Sequence, residues 1–197
     1  MPYISKLTNE GGVKSLNRYV SMLAGNSMYL PANYDSIATV TVGAGGAANI
    51  DFSSIPQTYK HLQLRLLTRN IGAEIVGEAY TTVNGASTGY NNHTLLGNGS
   101  TASAGGNNYT NLMFMSKALG ASASANAFGI TIIDILDYSN TNKYKTLRTL
   151  SGGDSNGTGF VMLGSGLWQS TTGINQITYR NNYNLAQYST AALYGIV

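Results

Sequence analysis

From Asp35 to the C-terminus, nearly every segment places apolar residues at alternate positions in short runs broken by Gly or Asn-Gly turns. A period of two sends successive side chains to opposite faces of a strand, so this pattern predicts β-structure throughout. Ser36–Val42 is β-branched and sets Ile37, Thr39 and Thr41 against Ala38, Val40 and Val42. Lys60–Arg69 turns Leu62, Leu64 and Leu66 inward and Gln63 and Arg65 outward. Phe128–Leu136 is apolar on both faces and predicts a central strand. Further strands are predicted at Ala48–Phe52, Glu78–Val83, Asn111–Lys117, Tyr144–Leu150, Gly159–Leu163, Ile174–Arg180 and Ala191–Val197. Turns are expected at Asn84-Gly85, Asn98-Gly99, Gly152-Gly153 and Asn156-Gly157. Thr101–Asn107 and Gly120–Ala127, rich in Gly, Ala and Ser, read as long loops.

About nine or ten short strands without helices between them predict an all-β domain, an antiparallel sandwich or a barrel. The first 33 residues read differently. Leu16, Tyr19, Val20 and Leu23 fall at i, i+3, i+4 and i+7, with Ser15 and Gly25 as caps. So short a helix is unstable alone and needs a surface to dock on. The expected organisation is a short N-terminal arm at 1–33, for attachment or oligomer contact, before a β-domain at 34–197.

Composition says what surrounds such a domain. Charged residues make up 10% of the 197-residue chain, against about 25% in ordinary soluble domains. The 24 glycines and 14 tyrosines fit a surface largely covered by neighbours. The absence of cysteine removes thiol chemistry and cysteine-ligated metals. A net charge of +3, with no basic run beyond Lys143, Lys145 and Arg148, argues against nucleic acid as a partner. The first residues carry Lys6, Glu10 and Lys14 without an apolar core, unlike a signal peptide. No apolar run is long enough to span a membrane as a helix. The expectation is synthesis in a cytoplasm, where the Asn-x-Ser/Thr triplets at Asn92, Asn98, Asn108 and Asn156 are chance matches.

Candidate chemistry does not assemble in the sequence. His61 and His93 lie in separate segments, and His61, starting a strand, reads as a structural hydrogen-bonder. Asp134 and Asp137, three apart on a strand, point to opposite faces and read as a strand end salt-bridged to Lys143 or Lys145. Asp154-Ser-Asn-Gly157 begins like a calcium loop but lacks the later Glu, so a turn is expected. Gly43-Ala-Gly-Gly46 lacks the Lys-Ser/Thr of a phosphate loop and reads as a hairpin turn. Ser165 has a glycine on each side and no strand-to-helix context for a nucleophile elbow. No catalytic, cofactor or metal residue is assigned. Tyr109, Tyr138, Tyr144, Tyr179, Tyr183, Tyr188 and Tyr194 remain as residues that stack on sugars or pack against protein.

A family pattern joins several blocks. Tyr34-Asp-Ser-Ile-Ala-Thr-Val-Thr-Val-Gly43 is followed by Ile50-Asp-Phe-Ser-Ser-Ile-Pro56 and Tyr59-Lys-His-Leu-Gln-Leu-Arg65. Tyr144-Lys-Thr-Leu-Arg148, Ser165-Gly-Leu-Trp168, Ile174, Ile177-Thr178 and the close Ala192-Leu-Tyr-Gly-Ile196 come after. Over residues 34–197 this resembles a β-rich domain of tailed-bacteriophage virion proteins, found alone and at the ends of fibre-like proteins. The resemblance implies a jelly-roll-like sandwich and a virion role, with no catalytic residue. In the same reading Phe52, Ile55, Leu62 and Trp168 fill the core, and Tyr194-Gly195 gives the last strand one large inward ring.

The leading expectation is a capsid cement or decoration protein binding the assembled shell as a homo-oligomer, a trimer by analogy with three-fold positions. Lys6, Lys14, Arg18, Tyr19 and Leu23 of the arm are its expected protein-interface residues. The alternative is a tail-fibre or receptor-binding module. There the arm attaches to the tail, and loops at 84–110 and 120–127 contact host surface glycan.

Overall fold

A computed structural model describes residues 34–108 and 113–197. The expected arm and its helical stretch lie outside the described residues, as do Lys6, Lys14, Arg18, Tyr19, Leu23 and Tyr109.

All the regular structure described is β. The strands are β1 (Tyr34–Thr41), β2 (Ala47–Phe52), β3 (His61–Thr68), β4 (Val76–Val83), β5 (Tyr90–Gly97) and β6 (Ala102–Asn107). They continue with β7 (Met113–Leu119), β8 (Gly129–Leu136), β9 (Lys145–Ser155), β10 (Thr158–Trp168), β11 (Ile177–Leu185) and β12 (Thr190–Ile196). The larger sheet has eight strands in the order β1-β12-β3-β8-β9-β10-β5-β6, and the smaller has four, β2-β11-β4-β7. All pairings between the named strands are antiparallel.

The sandwich is a jelly roll with two additions. Without β5–β6 and β9–β10, the remaining strands form β1-β12-β3-β8 facing β2-β11-β4-β7. With those hairpins set aside, every connection crosses between the sheets except the one from β4 to β7. That is the doubly wound Greek key of jelly rolls. Both added hairpins extend the same sheet, which is why it is twice the width of its partner.

Alternation builds the core as the sequence predicts. Leu62, Leu64 and Leu66 of β3 face inward with Ile133 and Ile135 of β8 and Leu147 of β9, all at most 2% exposed. Phe52, Ile55, Trp168 and Ile174 join the same cluster. Each fully buried aliphatic side chain contributes about 1.5–3 kcal/mol. A smaller cluster of Leu119, Ala123, Phe160 and Met162 lies between β7 and β10.

Three of the four expected turns form, but Gly152-Gly153 is no turn: both glycines lie inside β9, paired with Val161 and Phe160. Asn156 (φ 53°) and Gly157 (φ 96°) form the two-residue connection of the β9–β10 hairpin, where left-handed backbone matches the strand twist. Asn84 (φ 52°) and Gly85 (φ 62°) take the same left-handed backbone in a turn after β4, closed by Ala86 N–H donating to the Val83 carbonyl at 2.9 Å, on the way to the other sheet. The loop at 120–127 is held chiefly by the Arg69 side chain, with Ser155 Oγ accepting from Ser124 N–H at 2.7 Å. Arg69 donates to the carbonyls of Ala121, Ala123, Ser124 and Ala127 at 2.7–3.1 Å.

Four further expectations are corrected. Thr101–Asn107 is not a loop, because Ala102–Asn107 pairs with β5 as an edge strand despite its weak β-propensity. The described residues form twelve strands, because the β5–β6 hairpin lies inside the expected loop at 84–110. Gly43–Gly46 is a turn, with Gly46 N–H donating to Gly43 O at 3.0 Å, but it joins strands of different sheets and is not a hairpin. Tyr194 points outward, and its neighbour Gly195 points inward. A Cβ on Gly195 would lie 2.3 Å from Cγ of Tyr59, so Tyr59 is the ring that fills this end of the core.

Candidate protein-contact surface

The cross-strand register fixes what the larger sheet presents outward. One row runs Leu67, Ile130, Gly152, Val161, Gly97 across β3, β8, β9, β10 and β5. The next runs Arg65, Ile132, Leu150, Leu163, Leu95. Leu67, Leu95, Ile130, Leu150 and Leu163 are 45–53% exposed, and Val161 reaches 63%. Leu136 stands nearby at 58%. Together they leave on the order of 600 Å² of apolar surface, at the upper end of what a monomer exposes. The double apolar pattern of β8 therefore has a different meaning from the expected one. The strand is central, but only Ile133 and Ile135 enter the core, while Ile130, Ile132 and Leu136 line the outer face.

A polar row borders this stripe: Gln63, Asp134, Arg148, Ser165, His93. Arg65 Nε donates to Gln63 Oε1 at 2.7 Å, and Gln63 Nε2 donates to Asp134 Oδ1 at 2.7 Å. Arg148 Nη2 donates to Asp134 Oδ2 at 2.8 Å. Burial pushes the Asp134 carboxyl upward, but the hydrogen bonds from Arg148 and Gln63 and the charges of Arg148 and Arg65 outweigh it and hold the group below its ordinary value. The Arg65 guanidinium lies 4.9 Å from the Tyr34 ring centre and 4.7 Å from that of Tyr194, and the two rings meet edge to face.

Two hollows flank the aliphatic stripe. One, of about 570 Å³, lies around Ser165 and is lined by His93, Leu95, Leu136, Arg148 and Leu163. The other, of about 590 Å³, opens where Gly97, Gly152 and Gly159 supply no side chain, walled by Ile130, Asp154 and Val161.

The first hollow brings Ser165 beside His93, its cross-strand partner. The pair is not a catalytic dyad in this geometry. No hydrogen bond joins them among those of the described residues, and the imidazole leans over Gly106, where a Cβ would sit 2.7 Å from Cδ2. The nearest acid in the row, Asp134, stands three strands from His93, about 14 Å at the usual strand spacing. Its two oxygens are already engaged, so it does not orient the ring as a triad acid does.

The other sequence candidates are dispersed. His61 accepts the Asp137 backbone N–H at Nδ1 (3.0 Å), the structural role its position predicts. Asp137 pairs with Lys143 at 2.5 Å beyond the strand end, whereas Asp134 pairs with Arg148 instead of a loop lysine. Lys145 is buried and donates to the carbonyls of Asn140, Lys143 and Thr171. Asp154–Gly157 is the hairpin turn described above. Among the described residues no group of three or more His, Asp or Glu is placed to hold a metal ion, and no helix is long and apolar enough to cross a membrane.

The tyrosines do not form one platform. Tyr138 and Tyr179 are fully buried, and Tyr194 lies half-buried beneath Arg65. Tyr144, Tyr183 and Tyr188 are exposed, but Tyr144 precedes the start of β9 while Tyr188 precedes the start of β12 at the opposite end. The turn at 84–89 and the loop at 120–127 are likewise at opposite ends, although the β5–β6 turn at 98–101 shares the end of the second. The first leads into Tyr90, opposite Trp168, and the second into Gly129, opposite Thr68.

The aliphatic face escaped the sequence reading, although its signal is present. Leu95, Leu150, Val161 and Leu163 occupy the positions that alternation assigns to solvent. No family model, curated protein or solved structure matches the chain.

Proposed function

We propose that this chain is a structural protein of a bacteriophage particle, a cement or decoration protein that binds the assembled shell as a homo-oligomer. The observation that carries the reading is the aliphatic outer face of the larger sheet. A face of that size is unfavourable in water and is stabilised by contact with protein. The low charged fraction, 10%, leaves the rest of the surface equally suited to being covered. The jelly roll is an architecture shared by viral capsid and lectin domains, so fold alone does not choose between them. The block resemblance over residues 34–197 favours the virion. On this reading the protein is non-catalytic, is made in the host cytoplasm and ends in the particle.

The tail-fibre alternative draws on the exposed Tyr144, Tyr183 and Tyr188. Their division between opposite ends of the sandwich weakens it, because a glycan platform needs its aromatic rings together.

Counting copies in purified particles by quantitative mass spectrometry tests the reading. Copies on the order of hundreds fit the many equivalent positions of an icosahedral shell. A few copies, with recombinant protein binding host polysaccharide and ignoring emptied shells, would refute the shell role.

A further inference from the structure

We infer that the aliphatic face binds a second copy of this chain, face to face, about a two-fold axis running between the two sheets and across the strands at the level of Ser151. This rests on the reading that the face meets protein, and it names the protein.

The argument begins with β9, the middle of the five strands β3-β8-β9-β10-β5 that carry the apolar rows. Its outward residues are Thr146 and then Arg148, Leu150, Gly152 and Asp154 in order, and the last four span the apolar rows and their borders. They are spaced about 6.8 Å apart, two residues of antiparallel strand. A cation, an aliphatic, a bare backbone and a carboxylate, read backwards, form the complement of the same series. An axis crossing β9 midway sets Leu150 over Gly152 of the second copy and Arg148 opposite its Asp154. Both contacts occur twice, as an isologous interface requires.

Three neighbouring strands agree. The same axis sets Ile132 over Ile130 on β8, Leu163 over Val161 on β10 and Leu95 over Gly97 on β5. On β3, toward the other side of the stripe, it sets the Arg65 stem over Leu67. The hollow around Gly152 receives the ridge made by Leu150 and Leu163. A Cβ on Gly152 would meet only the Phe160 carbonyl at 3.4 Å and Val161 Cγ2 at 4.0 Å, so the space above it is open. An axis parallel to the strands gives the opposite result. It stacks Arg148 on Arg148 and Leu150 on Leu150, and leaves the hollow unfilled.

The charges are available. Asp154 forms no ion pair among the described residues. Arg148 spends Nη2 on Asp134, and a guanidinium has further donors. Area is also sufficient. The apolar stripe with its polar border approaches the roughly 800 Å² per partner of a standard interface. Two such faces stack in the way sheets do, about 10 Å apart with strands nearly aligned.

The full chain at tens of micromolar, measured by sedimentation equilibrium and light scattering, is expected to show twice the chain mass. Leu150→Asp inserts a carboxylate into the hollow and should weaken the dimer at least tenfold while leaving the far-ultraviolet spectrum unchanged. Asp154→Arg should weaken it less, and Arg148→Glu combined with Asp154→Arg should recover most of the loss. A monomer at that concentration, a three-chain mass, or a dimer indifferent to Leu150→Asp would each overturn the inference. Shell binding separates this failure from failure of the function. If the protein is monomeric and Leu150→Asp abolishes binding to emptied shells, the face meets a shell protein and the virion reading stands.

Discussion

The two sheets present very different surfaces outward. On the smaller sheet the outer residues pair across strands: Thr178 Oγ1 donates to Asp51 Oδ1, Arg180 lies over Tyr80, and Lys117 Nζ donates to Glu78 Oε1 at 2.6 Å. None of the exposed large apolar side chains lies among the described outward residues of its strands β2 and β4. The larger sheet carries a polar row too, from Arg65 to Arg148, but beside it runs a bare aliphatic stripe. The folded core uses only the inner face of each sheet. Apart from Tyr183 on β11, the smaller sheet's described outer side chains are polar or paired, whereas the larger sheet leaves an aliphatic stripe bare.

The largest expected effect contrasts the two faces of β8. Ile133 is fully buried, and Ile133→Ala should cost about 3–4 kcal/mol through lost burial and a cavity. Ile130, 53% exposed, should behave otherwise. Ile130→Thr should change monomer stability by about 0.5 kcal/mol or less. Urea titration at low protein concentration reads both. Equal losses would mean that the outer stripe belongs to the core, and the comparison would fail.

Next in size is an alkaline effect on the smaller sheet's inner face. Burial raises the Tyr179 phenol to about 12, against weaker lowering by hydrogen bonds that include the one with Thr68 at 3.1 Å. Above pH 10 the unfolded chain ionises this phenol while the folded chain keeps its proton. The unfolded state then binds fewer protons, and stability falls with rising pH until about pH 12. The loss is on the order of 2–3 kcal/mol. Tyr179→Phe should flatten that limb of the stability curve, and an unchanged slope would show that the phenol titrates freely.

Much of this contrast was legible in the sequence, and the illegible part has physical causes. Alternation at 60–69 shows Leu62, Leu64 and Leu66 inside because Gln63 and Arg65 mark the wet face. The β5–β6 hairpin stays hidden because Asn91, Asn92 and His93 interrupt one strand and Ala102–Asn107 has no large side chain in the other. Phe128–Leu136 shows that both faces of β8 are apolar, but a single strand does not tell whether its second face is covered by the same chain. That depends on register. Only the alignment of Ile132, Leu150, Leu163 and Leu95 turns scattered residues into a stripe. The same holds for Tyr194, whose direction follows from its pairing with Gln63 and Ser36 and not from its bulk.

A moderate effect belongs to the water-facing surface. Glu78 and Lys117 are cross-strand partners whose side chains are 38% and 14% exposed. Glu78→Gln keeps the shape and removes the charge, and should cost about 1 kcal/mol once solvent screening is allowed for. Raising the salt concentration should shrink the difference between the two proteins. A salt-independent loss would point to packing instead of charge.

The smallest effect concerns the polar border of the aliphatic stripe. Asp134 titrates below its ordinary value, so ionisation of this group favours the folded state. That stabilisation is fully present above the unfolded carboxyl pKa and disappears as pH falls through the lower folded value. Asp134→Asn should therefore lower stability at pH 7 and leave it nearly unchanged in strong acid. Arg148, the main partner, is 71% exposed, so the difference should stay below about 1 kcal/mol. Chemical denaturation at pH 7 and pH 2.5 measures it. If the two proteins differ equally at both pH values, Asp134 acts through shape and not charge. If a dimer forms on this face, the pH 7 difference should grow with protein concentration, because association removes water from Arg148 and its partner together.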